Sequence, residues 1–461
     1  MSSTESVLAK ADTLMPAAEA RWIDWLRIPS ISAQPAHAGD CRRAAQYVVD
    51  ELAAMGFEAS LRETAGHPAV VAHHPGPGKG PHLLYYGHYD VQPPDPLELW
   101  NSPPFEPTRV AGPHGDRIYA RGAVDDKGQV AMWLGAFRAW FEATGGMPCR
   151  ISVVIEGEEE TGSANFKPFV KVAKEELKAD VCIVSDTGMW DIDTPAIGTS
   201  LRGMAYLEVT LKGPNRDLHS GMYGGSALNP INALVTALGG LKDGDGVVQV
   251  PGFYDGVRDI SSAKANQWAS LGFSEAAFLG AIGLSVPYGE AGRGALERLW
   301  ARPTCDICGI WGGYQGAGTK TVIASEASAK VSFRLVPGQD PAAVEAGFQA
   351  FMRARVPADA TLEFSTFGLS SGLEMALDSP FMKAAQAALA DEYGRPAVLA
   401  GVGGSIPVVE TIMTELGMDC ILMGFGLEDD QVHSPNEKFE VTCFRKGLRS
   451  HVRLLGRIGG A

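Results

Sequence analysis

The stretch that decides the fold is "CRISVVIEGEEETGS", residues 149–163. Its first half is an apolar run rich in β-branched residues, the signature of a buried strand. Its second half carries Glu156, Glu158, Glu159 and Glu160 within five positions. Crowded like charges repel unless a cation lies beside them. An acidic run is ordinarily a solvated loop. This one directly follows a strand, and the loops at strand ends of α/β sheets are where functional groups gather. The question is whether that strand belongs to such a sheet.

The surrounding segments say that it does. "HLLYYGHYDV" (82–91) reads as a buried strand, and "KGQVAMWLGAFRAWFEA" (127–143) has apolar residues at helical spacing. "FKPFVKVAKEEL" (166–177) reads as a helix and "DVCIVSD" (180–186) as a strand. The tail resumes the alternation: helix 379–393 with a Ser-Pro start, strand 397–401, helix 407–416, strand 420–426 and a last helix 444–458. Strands alternating with helices specify a mostly parallel sheet sandwiched by helices. The middle differs. "AYLEVTLKG" (205–213) alternates apolar and polar residues, "NPINALVTALGGL" (229–241) is a helix, and a Gly-rich irregular stretch follows. Then come strand 329–336, helix 341–356 and strand 360–367. That pattern is a small antiparallel sheet with helices on one face, an α+β ferredoxin-like insertion. The expected division is a catalytic domain in two parts, 1–199 and 371–461, interrupted by an inserted domain at 200–370. No internal repeat or low-complexity segment is present.

The 461 residues exceed one ordinary core and carry a formal charge of −15. That charge argues against nucleic acid and anionic membrane surfaces as partners. No apolar stretch approaches a membrane span, and the start lacks a basic segment followed by an apolar run, so no signal peptide is expected. Seven scattered cysteines point to reduced thiols and a cytoplasmic setting. "CDIC" (305–308) is a lone CxxC in an extended-looking segment; it cannot close a tetrahedral zinc site and reads as structural thiols.

Several predicted strand ends carry ligand-type residues: His88 and Asp90, Asp125 and Asp126, the glutamates, Asp186, and His433 in the loop after 420–426. Singly each is weak; together they can converge at one edge of a sheet. Two histidines with several carboxylates suit zinc, manganese or cobalt, and the surplus of carboxylates suits two ions sharing one. Such a pair activates water at neutral pH, and a further carboxylate must then handle protons. His88 and Asp90 point the same way on a strand, so Asp90 can hold the second ring nitrogen of His88. Glu159 and Glu160, being adjacent, point apart and need not share a role.

"GHYDVQP" (87–93), "ARGAVDDKG" (120–128), "EGEEETGS" (156–163), "DLHSG" (217–221), "GGSIP" (403–407) and "DDQVHSPNEK" (429–438) together resemble the di-metal peptidase family of carnosine dipeptidases, glutamate carboxypeptidase, aminoacylase and acetylornithine deacetylase. The resemblance covers nearly the whole chain and is nearest to the cytosolic non-specific dipeptidase and carnosinase branch. It implies a zinc-aminopeptidase-like catalytic domain with an inserted lid that dimerises through its sheet, and two divalent ions per subunit, zinc first, with manganese or cobalt as alternatives. His88 and Asp186 would hold one ion, Glu160 and His433 the other, and Asp125 would bridge them, with a cis peptide to Asp126. Asp90 would orient His88, and Glu159 would be the general base. His219 would stabilise the oxyanion in the partner subunit's site. Arg334 would bind the substrate carboxylate, with Thr321 and Ser405 adding hydrogen bonds. The implied activity is hydrolysis of a dipeptide or similar small carboxylate-bearing amide by a hydroxide generated on the metal pair. One departure stands out: Val402 replaces the acidic residue that usually precedes "GGSIP" in that branch. An N-acyl- or N-carbamoyl-amino-acid amidohydrolase is therefore the alternative on the same scaffold. A non-catalytic binding protein, and acid–base chemistry by carboxylates without metal, are rivals of other classes.

Overall fold

The computed structural model describes residues 3–404 and 406–460. The chain divides into two compact units: Met1–Thr199 with Met375–Ala400 and Ile406–Ala461, and Ser200–Glu374 with a short return beginning at Gly401. In chain order, the first unit contributes α1 (Ser3–Leu26), α2 (Ala38–Ala53), β1 (Glu58–Arg62), β2 (Ala69–His74), β3 (His82–His88), α3 (Lys127–Thr144), β4 (Arg150–Glu156), β5 (Val181–Val184) and β6 (Ala196–Leu201). The second contributes β7 (Gly203–Lys212), α4 (Pro230–Gly239), β8 (Thr304–Gly312), β9 (Glu326–Leu335), α5 (Pro341–Arg353) and β10 (Thr361–Ser370). The first unit then resumes with α6 (Pro380–Tyr393), β11 (Asp419–Leu422) and α7 (Val441–Gly459).

The large sheet runs β1-β2-β4-β3-β5-β11-β6. Its centre is parallel: β3 pairs with β4 and β5, and β11 with β5. Its margins are antiparallel, at β1-β2-β4 and β11-β6. Central strands covered on both faces require near-continuous apolar sequence, and Leu83–Tyr86 and Val181–Val184 are buried throughout. Helix α3 lays Trp133 and Phe137 onto β3, their rings 5.2 and 5.0 Å from that of Tyr85. Each such fully buried side chain contributes roughly 1.5–3 kcal/mol of transfer free energy. Helix α1 packs on α7, with Trp22 stacked on Phe444 at 4.7 Å. His88 lies level with Glu156 in the β3-β4 register, so both strands deliver their last residues to the same edge.

The second unit is a four-stranded antiparallel sheet ordered β8-β9-β7-β10. With a helix after its first and third strands, this is the ferredoxin-like order. Strand β7 alternates strictly: Ala205, Leu207, Val209 and Leu211 enter a core shared with Leu234, Phe348 and Phe351 of α4 and α5, and the intervening side chains face away. Asn229 and Asp340 cap α4 and α5, each followed by Pro at the first helical position, as those sequence starts require. The irregular stretch between α4 and β8 contains three short helices, Ser262–Ala269, Glu275–Ala281 and Ala295–Trp300.

Three local outcomes refine the sequence reading. The segment 166–177 is two short helices, Phe166–Val172 and Lys174–Leu177. The CxxC pair lies on β8 with Cys305 buried and Cys308 exposed, and all seven cysteines are free thiols. No helix among the described residues is long and apolar enough to cross a membrane.

Candidate active site

The C-terminal edge of the large sheet collects the ligand-type residues. His88 ends β3 and is fully buried. Its Nδ1 lies 3.1 Å from the main-chain oxygen of Asp90 and 3.3 Å from Asp90 Oδ1. The carboxylate and the carbonyl of Asp90 therefore share one job, fixing the ring. Nε2 then faces Asp125 Oδ1 at 3.1 Å and Asp186 Oδ2 at 3.9 Å. Asp125 turns its other oxygen, Oδ2, to His433 Nε2 at 3.0 Å, and His433 Nε2 also lies 3.1 Å from Glu160 Oε2. Asp125 is thus shared by two triads, His88–Asp125–Asp186 and Asp125–Glu160–His433, each with its donor atoms within 4.8 Å of one another. The Asp125–Asp126 peptide is cis, as the resemblance implied.

The acidic loop resolves into separate jobs. Glu156 is buried, accepting hydrogen bonds from Tyr86 Oη and Ser163 Oγ at 2.9 Å each. Glu158 accepts from Asn165 Nδ2 at 3.0 Å. Glu160 is held by Gln92, whose Nε2 donates to its carboxylate at 2.8 Å and to its carbonyl at 3.1 Å. Asp90 Oδ2 accepts from Ser32 Oγ at 2.6 Å and from the Glu160 amide at 3.1 Å, tying β3 to the loop. Gly157 is required because a Cβ there would meet the Tyr89 ring at 2.1 Å, and Gly162 turns the chain at φ +90°.

Electrostatics show what the cluster lacks. Burial pushes the Glu159 carboxyl up to about 8, reinforced by Asp186, Glu160 and Asp125. Burial likewise raises Asp186 to about 7, reinforced by Asp125. Burial opposes ionisation of Asp125, yet hydrogen bonds from His433 and His88 hold it well below the usual carboxylate range. Hydrogen bonds to Asp125 and Glu160 lift His433 to about 10. Burial works against a charge on His88, but its bonds to Asp125 and Asp90 raise it well above 6.5. Each ring therefore aims a nitrogen at carboxylate oxygens, an arrangement that repels unless a proton or a cation sits between them. Two triads of buried nitrogen and oxygen donors sharing one carboxylate suit two divalent cations. An open cleft of about 370 Å³ adjoins Asp125 and Asp186, lined also by Val124, Thr187 and Glu428.

Of the remaining expected residues, His219 and Arg334 lie in the second unit on two different sheets. His219 is exposed and pairs with Val322 in a short two-stranded ladder, next to Thr321. Its Nδ1 accepts the Gly221 amide at 3.0 Å, which leaves the Nε2 proton free to be donated. Arg334 is half-buried on β9, opposite Met204 and Thr304. Ser405 lies outside the described residues; its neighbour Val402 is half-buried at the end of the strand Val398–Val402. Sequence reasoning missed Arg202, whose Nε donates to Gly403 O at 2.8 Å and whose amide donates to Gly404 O at 3.2 Å. Burial, then the like charge of Arg334, pushes Arg202 down to about 10. The only sequence signal for it was an arginine at a strand junction. Gln92, Ser32 and Glu437 were missed as well, because uncharged or solitary polar residues carry no pattern.

A two-metal hydrolase built on an α/β sheet with an α+β insertion is what this fold and donor set define. The chain belongs to the peptidase family M20/M25/M40, whose profile matches residues 84–457. It is a metallopeptidase, a hydrolase of peptide bonds. It is 31% identical over 444 residues to the Cys-Gly metallodipeptidase DUG1 of Candida albicans, covering 92% of this chain and 91% of that one. It is 30% identical over 379 residues to the human Beta-Ala-His dipeptidase, covering 81% and 74%. Among solved structures, the Saccharomyces cerevisiae dipeptidase Dug1p superposes with a TM-score of 0.82 at 25% identity, covering 100% of both chains.

Proposed function

We propose that the protein hydrolyses dipeptides, or similarly small amides with a free carboxylate, using two divalent ions held by His88, Asp125 and Asp186 and by Asp125, Glu160 and His433. The observation that carries this reading is the shared Asp125, whose two oxygens face the two histidines at 3.1 and 3.0 Å. Dipeptidase activity in the relatives' names supports the substrate class. Bound there, zinc, manganese or cobalt would polarise the scissile carbonyl and lower the pKa of water.

This chain's own residues do the rest. Glu159, beside both triads, takes the proton of the attacking water and returns it to the leaving amine nitrogen. Asp90 fixes the ring of His88, and Gln92 fixes the carboxylate of Glu160. His219 donates its Nε2 proton to the developing oxyanion, in the site of a partner subunit within a homodimer formed through the inserted unit. Arg334 offers its guanidinium fork to the substrate carboxylate, with Thr321 and Ser405 adding hydrogen bonds. Free thiols throughout suit a cytoplasmic setting.

Val402 favours a second reading, a preference for N-acyl or N-carbamoyl substrates, because no carboxylate stands at this position to receive a free amino group. A panel of Xaa-Xaa dipeptides assayed beside their N-acetyl and N-carbamoyl forms, with metal analysis of the same preparation, separates the two. Turnover of free dipeptides is expected; turnover confined to blocked substrates would overturn the dipeptidase reading. Activity that survives complete chelation would overturn the metal-dependent one.

A further inference from the structure

We infer that Glu437 is a positioning residue that joins the two loops carrying Asp125 and His433 and so sets the metal-holding geometry. The inference rests on the metal-dependent reading above. Glu437 lies four residues after His433 and is 1% exposed. Its carboxylate reaches across to the other loop and takes four hydrogen bonds there. Oε1 accepts from the amides of Val124 at 3.0 Å and Asp125 at 3.2 Å. Oε2 accepts from the amide of Gly122 at 2.9 Å and from Arg121 Nη1 at 2.8 Å. Its own carbonyl accepts the amide of Ala120 at 3.1 Å. One residue, by side chain and carbonyl together, therefore holds the segment 120–125 that leads into the shared aspartate.

The His433 side of the joint is equally constrained. Gln431, His433 and Asn436 all have positive φ, at 55°, 62° and 65°, a conformation that non-glycine residues hold only when their surroundings enforce it. Asn436 supplies part of that enforcement: its Oδ1 accepts the Asn101 amide at 2.7 Å and its Nδ2 donates to Leu99 O at 2.8 Å. Glu437 supplies the link that runs to a ligand. The next residue, Lys438, pairs with Tyr119 in a small sheet, which fixes the height at which Glu437 enters the 120–125 loop. A carboxylate is the group that this cradle needs. It offers two acceptor oxygens to three amides and a guanidinium, whereas an amide side chain would present its own N–H₂ to donors.

The test compares Glu437→Gln with the double variant Arg121→Met/Glu437→Gln. The single change leaves Arg121 buried beside a neutral group, so it costs stability as well as geometry; the double change removes both charges from the interior. Metal affinity is read by titrating zinc into the apo-protein and by metal content after dialysis against a chelator of graded strength. Melting temperature of the apo-form is read in parallel. Outer-shell partners of metal ligands are worth about 10–100-fold in metal affinity, so Glu437→Gln should weaken at least one of the two zinc equivalents by about tenfold or more. In the double variant the apo melting temperature should recover while the weakened zinc equivalent does not, and added zinc should restore kcat with KM little changed. Asn436→Ala, which loosens the same loop on its other side, should shift zinc affinity less than Glu437→Gln. Two zinc equivalents bound with unchanged affinity in Glu437→Gln, or affinity that returns with stability in the double variant, would overturn the inference. Absence of zinc-dependent hydrolysis in the unmodified enzyme would strike at the proposed function, while the zinc-affinity comparison still decides the clamp.

Discussion

Two histidine pairs sit in the same unit, and only one of them sits among carboxylates that converge. His88 and His433 face Asp125 from opposite sides, with Asp186 and Glu160 completing two donor triads. His73, of β2, and His82, opening β3, meet instead at Ser152, each with a ring nitrogen 2.8 Å from its hydroxyl. Glu176 lies on the far ring nitrogen of His73, at 3.1 Å, rather than between the rings. A serine hydroxyl can donate to one ring while accepting from the other, so this second pair is satisfied as it stands. The first pair is not: its nitrogens and carboxylates hold one another only through a proton or a cation. Histidine count therefore says little; what marks a site is carboxylates in excess of the protein's own cations, buried at one strand edge.

The comparison can be pressed from either side. The largest effect is expected at Glu159: Glu159→Ala should lower kcat by about 10²–10⁴-fold with both metal equivalents retained, read by steady-state kinetics and metal content on one sample. Asp90→Asn should follow, weakening metal binding or activity by about 10–100-fold through the orientation of His88. Chelation should lower the melting temperature by several degrees, since ligand at about a hundred times its Kd stabilises by about 2.7 kcal/mol; an unchanged apo melting temperature would show the carboxylates to be at ease without cations. At the other pair, His73→Ala and His82→Ala should leave kcat and metal content within about twofold, because surface-side substitutions away from special features have small effects.

A third histidine calibrates the role of burial alone. His451 of α7 is fully buried beside Tyr85, Ser185 and Phe425, with no carboxylate of the described residues bonded to it, and burial pushes it down to about 3. The unfolded chain then binds a proton that the folded chain refuses between pH 6.5 and about 3. Its contribution is intact above pH 6.5 and is lost as pH falls through that window, by roughly 1.4 kcal/mol per unit. Urea melts of His451→Gln between pH 6.5 and 4 should show a shallower slope by about one proton.

Much of the clustering was legible because its histidines and carboxylates come in short, ordered motifs. "GHYD", "EGEEE" and "SD" lie at the ends of neighbouring strands of the large sheet, whose register brings them together, while "VDD" follows and "HSPNEK" leads into strands of a small separate sheet. The ferredoxin-like order of the insertion was legible for a similar reason, since alternation in 205–213 and Pro-capped helices are local signals. What was not legible acts through backbone. The value of Glu437 lies in three amides whose positions depend on the fold, and nothing in the letters "NEK" specifies them. Helix α1 also went unread: with Pro16 inside it, its burial comes from α3 and α7 rather than from a clean local pattern.

The inserted unit has one more property. Its two ends are hydrogen-bonded neighbours, Ser200 opposite Glu374 and Leu201 opposite Leu373. A segment that enters and leaves at adjacent points can be lengthened, exchanged or removed without rethreading the strands of its host. In evolutionary terms it is a cassette. The clustered residues His88, Asp125, Glu160, Asp186 and His433, by contrast, are all spelled by the host sequence.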